Sequence, residues 1–100
     1  MLRHIVMWQF KEEAEGKTRE ENCRIVKDLL EALTPVVPSI RKLEVGINAY
    51  PSDSSADLVL ISEFDSKEGL DAYVKHPEHL RVNDYVSKVR LMRTAVDYIY

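Results

Sequence analysis

The first ten residues restrict the fold more than any other stretch. In an extended chain, alternate side chains point to opposite faces. Here Leu2, His4, Val6, Trp8 and Phe10 fall on one face, and Arg3, Ile5, Met7 and Gln9 fall on the other. Both faces carry apolar side chains. A strand of that kind belongs inside a sheet and needs cover on each side. The rest of the chain must supply helices for one face and something further for the other.

One layer of cover is legible. Thr18-Arg-Glu-Glu21 has the spacing of a capping box, which satisfies the orphan amides of a helix start, so a helix is predicted from near Arg19. Val26, Leu29, Leu30 and Leu33 recur along it at three- and four-residue spacing with Ile25 alongside, and Pro35 and Pro38 are expected to end it. From Lys42 to Ala49 the residues Leu43, Val45, Ile47 and Ala49 alternate with polar ones, a second strand. The stretch from Tyr50 to Ala56 has loop chemistry. Asp57 to Phe64 reads as a third strand, with Leu58, Leu60 and Phe64 on one face and Val59 and Ile61 on the other. Ser66 opens a short helix carrying Leu70, Tyr73 and Val74, which Pro77 interrupts. Proline suits the first position of a helix, so His76 becomes the N-cap of a further helix running through Leu80, Val82, Tyr85 and Val86. Arg90 to Tyr100 is extended again.

The order strand, helix, strand, strand, helix pair, strand is the α+β ferredoxin-like pattern, a four-stranded antiparallel sheet with its helices on one face. One hundred residues allow a single domain spanning 1–100. Ile5, Met7, Val59 and Ile61 then project from the uncovered face, and a second copy packed sheet to sheet is the simplest cover. Lys plus Arg is 14 against 17 Asp plus Glu, a net charge of −3 without a basic stripe, so nucleic acid is not an expected partner. The longest apolar run, Leu58 to Ile61, is far short of the ~20 residues that cross a bilayer, and no membrane partner is expected. Cys23 is the single cysteine and the start of the chain has no signal-peptide pattern, which together point to the cytoplasm. Gly16, Gly46 and Gly69 are too scattered for a phosphate-binding loop, and Cys23 reads as a small packing residue.

Two segments carry a family resemblance. Leu2-Arg-His-Ile-Val-Met-Trp-Gln-Phe-Lys11 and Tyr73-Val-Lys-His-Pro-Glu-His79 resemble the Dabb family, the stress-responsive dimeric α/β barrel proteins, and the element order agrees over essentially the whole chain. The resemblance implies a ferredoxin-like protomer whose sheet packs on that of a second protomer. Members include a plant polyketide cyclase that performs an intramolecular aldol reaction without a metal. A first-strand histidine, a tyrosine before the His-Pro motif and the second histidine of His-Pro-x-His line its pocket, and they match His4, Tyr73 and His79.

All three histidines of the chain lie in these two segments, and an imidazole is the side chain best suited to take a proton near neutral pH. His4 shares its strand face with Val6, Trp8 and Phe10 and should point beneath the helices, either as a satisfied core histidine or as a pocket residue. His79 falls at the third position of its helix, where the positive dipole end disfavours imidazolium. Paired with Tyr73, it would activate a carbon acid beside a carbonyl while the phenol stabilises the enolate. Alternatively, His-Pro-x-His only caps a helix and Tyr73 is core. If the three line one cavity, their polar atoms should lie within about 10 Å and the Tyr73 hydroxyl within hydrogen-bond range of an imidazole, directly or through one water. Val6, Trp8 and His76 are the accompanying candidates for ligand binding. His76-x-x-His79 has a spacing that could hold a metal together with His4 or Glu78, but no third ligand is evident, and neither a metal nor a cofactor is expected. Function divides between a stress-associated protein binding a small apolar carbonyl compound and a cofactor-free cyclase or lyase. A haem-binding or haem-degrading monooxygenase-like protein is a third reading.

Overall fold

The computed structural model describes residues 1–100. Its elements are β1 (Leu2–Phe10), β2 (Glu13–Ala14), β3 (Lys17–Thr18), α1 (Arg19–Glu31), β4 (Lys42–Ile47), β5 (Leu58–Phe64), α2 (Lys67–Lys75), α3 (Pro77–Val89) and β6 (Arg90–Ile99). β4, β5, β1 and β6 form one sheet in that order, and every pairing is antiparallel. This is the ferredoxin-like α+β arrangement expected from the element order. The strand with two apolar faces, β1, is central.

Register follows from which face each residue must bury. Leu2, His4, Val6, Trp8 and Phe10 are buried beneath the helices, opposite Leu58, Leu60, Ser62 and Phe64 of β5. Ser62 is polar on that inner face and is satisfied there, its hydroxyl donating to the His4 carbonyl at 3.2 Å. α1 adds Cys23, Val26 and Leu30 to the core, and α3 adds Val82, Val86 and Val89. Principal extents of 36 × 26 × 17 Å describe a two-layer slab, helices on sheet, because a third layer would need a thicker short axis. The outer sheet face stays open, with Met7 42% and Val96 53% exposed.

Thr18 caps α1 as its sequence specifies, its hydroxyl accepting from the Glu21 amide while the Glu21 carboxylate accepts from the Thr18 amide. Several boundaries differ from expectation. Glu13 to Thr18, to which the sequence assigned no strand, forms the β2–β3 hairpin, whose turn residues Glu15 and Gly16 both have positive φ. Such a two-residue turn matches strand twist, but a glutamate at its first position gives no sequence signal. The buried Asn22 anchors this hairpin, donating to the Ala14 carbonyl and accepting from the Tyr85 hydroxyl. α1 ends at Glu31, before Pro35, because the chain tightens into turn geometry with Leu33 N–H donating to the Leu30 carbonyl. β4 stops at Ile47 rather than Ala49.

Candidate functional site

Proline decides the geometry of the site. His76 precedes Pro77, is thereby biased away from the helical region, and adopts φ −62°, ψ 135°, which separates α2 from α3. The break leaves orphan donors at the start of α3 and orphan acceptors at the end of α2, and the two histidines of the motif serve one of each. His76 Nδ1 accepts from the Glu78 amide at 3.1 Å, and His79 Nδ1 donates to the Val74 carbonyl at 3.0 Å. The His79 bond has a chemical consequence. With Nδ1 carrying the hydrogen, Nε2 of the neutral ring keeps its lone pair.

Tyr73 sits in α2 with its ring fully buried, tilted on Phe64 at 5.2 Å between centroids, on His79 at 4.4 Å and edge-on to His4 at 6.3 Å. Its hydroxyl has no partner in the protein. Of the two expected forms of the hydrogen bond from Tyr73 to an imidazole, direct or through one water, the direct one is therefore absent. The side chain is wedged between two rings and the sheet, so packing sets its direction and the histidines meet the ring rather than the hydroxyl. Burial pushes the phenol far above its ordinary range, which keeps the hydroxyl protonated as a donor.

His4 is 7% exposed and has a partner that sequence reasoning missed. Its Nδ1 donates to Asp97 of β6 at 2.5 Å, across strands paired in register at these two residues. A carboxylate on Nδ1 orients the ring and leaves Nε2 as the free nitrogen, the base–orienter relation used wherever a histidine is held for proton transfer. The only sequence signal for Asp97 is its place in the last strand, and that becomes informative once the β1–β6 register is known.

His4, Val6, Trp8, Tyr73 and His79 line one cavity of about 40 Å³, joined there by Asn83 and Arg93. His76 is not part of it, because its ring is turned onto the start of α3. No three His, Cys, Asp or Glu side chains cluster closely enough to hold a metal ion. The space admits a few heavy atoms, on the order of one probe sphere of ~15 Å³ per water, and not a porphyrin. Cys23 borders a larger cleft at the start of α1, where burial pushes its thiol up to about 11 and removes it as a nucleophile.

Burial also lowers the pKa of His79, against the bond to Val74, which raises it; the leading cause is therefore burial. A folded value below the ordinary 6.5 means that the unfolded chain takes up the proton first as pH falls. The contribution to stability is complete above about 6.5 and is lost as pH drops through the folded value. Urea midpoints should fall between pH 7 and pH 5, and His79→Gln should flatten that fall. Identical slopes in the two proteins would show that His79 does not titrate in this way.

The family model described as stress responsive A/B barrel domain matches residues 2–100. Among curated proteins, none matches the chain. A dimeric protein of unknown function and ferredoxin-like fold from Bacteroides fragilis is 30% identical, with 99% of this chain and 95% of that one covered at a TM-score of 0.82. A dimeric ferredoxin-like protein of unknown function from Thermobifida fusca is 20% identical over 99% and 90% of the two chains, with a TM-score of 0.84. Hydroxynitrile lyase from Passiflora edulis is 16% identical over 99% and 92%, with a TM-score of 0.83, a likeness of fold alone. No helix is long and apolar enough to cross a membrane.

Proposed function

Because the chain belongs to the stress responsive A/B barrel domain family, we propose a function built on that family's fold: a homodimer, joined through the open sheet faces, in which each protomer binds a small carbonyl compound between sheet and helices. The observation that carries the ligand is the Tyr73 hydroxyl, buried without a hydrogen-bond partner on a side chain that lines the same cavity as two imidazoles. A buried donor left unpaired costs about 1–3 kcal/mol, and a ligand oxygen accepting from it would offset that cost. A carbonyl oxygen accepts from that hydroxyl, and Val6, Trp8 and Leu60 supply apolar walls. The dimer rests on the exposed outer face of β1, β5 and β6, and on the description of two similar proteins as dimeric.

A second reading, a cofactor-free lyase or cyclase, is favoured by the tautomers. His4 and His79 both engage Nδ1, with Asp97 and Val74, so both present Nε2 as a base. In such a step Nε2 takes a proton from the carbon beside the carbonyl. The C–H electron pair moves to form the carbon–carbon double bond of the enolate, and the negative charge on oxygen is held by the Tyr73 O–H.

Binding of 2-pentanone, followed by saturation-transfer NMR, tests the first reading. Tyr73→Phe should weaken it by about tenfold. The same variant should raise the urea midpoint, because it deletes an unpaired buried hydroxyl and almost no packing volume. Unchanged affinity together with unchanged stability would remove the hydroxyl from the site.

A further inference from the structure

The cavity has an excess of unpaired donors, and their placement specifies more of the ligand than a carbonyl group. Besides Tyr73, the indole N–H of Trp8 is buried without a partner, and Trp8 lines the same cavity. Arg93 also lines it and enters none of the ion pairs of the chain. Trp8 and Arg93 lie directly opposite each other in the β1–β6 register, on the face toward the helices, so an acceptor at that end of the cavity would meet an indole N–H and a guanidinium together.

The charges nearby leave Arg93 available. Asp97 is taken by His4 and sits four residues further along β6, about 13 Å at the usual rise of a strand. On α3, Glu78 and Asp84 are held by Arg81 and Lys88 of the same helix. The charge of Arg93 does reach the site, where it acts to lower the pKa of both Tyr73 and His79. The chain as a whole is acidic, with a net charge of −3, so attraction for an anion at this cavity is local to Arg93.

Resting on the carbonyl reading above, we infer that the ligand is a short oxo acid: its carbonyl oxygen accepts from Tyr73, and its carboxylate, at the mouth, accepts from Arg93 and Trp8. A guanidinium matches a carboxylate in geometry as well as in charge. The enclosed volume of about 40 Å³ fits a compound whose carbonyl end alone is buried.

The probes are 4-oxopentanoate, its methyl ester and 2-pentanone, with dissociation constants measured by saturation-transfer NMR at low and high salt. The acid should bind at least about tenfold more tightly than the ester, and added salt should erode that preference. Arg93→Gln should bring the ratio of the two affinities close to one, and Arg93→Lys, which keeps a charge but not the fork, should restore part of it. An ester that binds as well as the acid, or a preference that survives Arg93→Gln, overturns the inference and leaves the carbonyl reading standing. If the acid and 2-pentanone both fail to bind at millimolar concentration, the two fall together.

Discussion

Replacing both Met7 and Ile61 with lysine is expected to turn the proposed dimer into monomers, raising its dissociation constant by a factor of about 1,000 or more. Met7 lies near the middle of β1 and is 42% exposed, and Ile61 lies one strand away, paired with Ile5. Around them the open face presents Val59 and Val96, and at one end Arg3 stacks on Tyr98 and Tyr100 while pairing with Glu63. That is an apolar centre with a polar, aromatic rim, the usual plan of a protein interface. Two lysines per protomer bring four like charges into a contact related by twofold symmetry. Glu44 lies opposite Ile61 in the β4–β5 register, whereas Met7 has only Val59 and Thr94 across from it, so the lysine at position 7 has no carboxylate opposite it on either neighbouring strand. Like-charge juxtaposition costs several kcal/mol, and each ~1.4 kcal/mol is a tenfold change in affinity. Light scattering at micromolar concentration reads the outcome, with circular dichroism confirming that the protomer keeps its fold. A monomeric unmutated protein at that concentration would remove the dimer, and an unchanged dimer in the double variant would move the interface to another face.

Local chemistry made most of this architecture legible, and long-range chemistry hid the rest. The α1 start could be read because Thr18 and Glu21 satisfy each other within four residues, and the α2–α3 break because Pro77 restricts its neighbour. Period-two alternation assigned β1 and β5 to the correct faces, since one face of each is fully buried. The Glu15–Gly16 turn was hidden because a positive φ at a glutamate has no compositional signature. In the site, His4, Tyr73 and His79 were visible as residue types, and the structure brings them around one cavity. Asp97 and Arg93 were not, because they reach that cavity only through pairing between the first and last strands of the chain. The lack of a direct Tyr73–His79 hydrogen bond has a related reason. Across a helix break, side-chain direction is set by what Phe64 and the sheet leave free, and the outcome is ring against ring rather than hydroxyl to nitrogen.

The acid–base reading makes the other large prediction. In deuterium oxide the protein should speed exchange of the hydrogens beside the carbonyl of 4-oxopentanoate, and His79→Ala should cut that rate by about 10²–10⁴, the usual contribution of a positioned base. His79 is the stronger candidate because it packs directly on Tyr73, and because burial lowers its pKa and keeps the ring neutral. Its lone pair therefore survives to lower pH than that of a free imidazole, and the rate should hold its plateau below the ordinary value of about 6.5. Asp97→Asn tests the other base. It replaces the carboxylate that holds Nδ1–H of His4 with an amide that can present either end to the ring, so the orientation and tautomer of His4 cease to be enforced. A drop in that variant comparable to the His79→Ala loss would make His4 the proton acceptor, with His79 in support. Exchange no faster than that given by free imidazole at the same concentration would leave the cavity a binding site without chemistry. In that case the bond from His79 to Val74 is what the motif is for, closing the junction between α2 and α3.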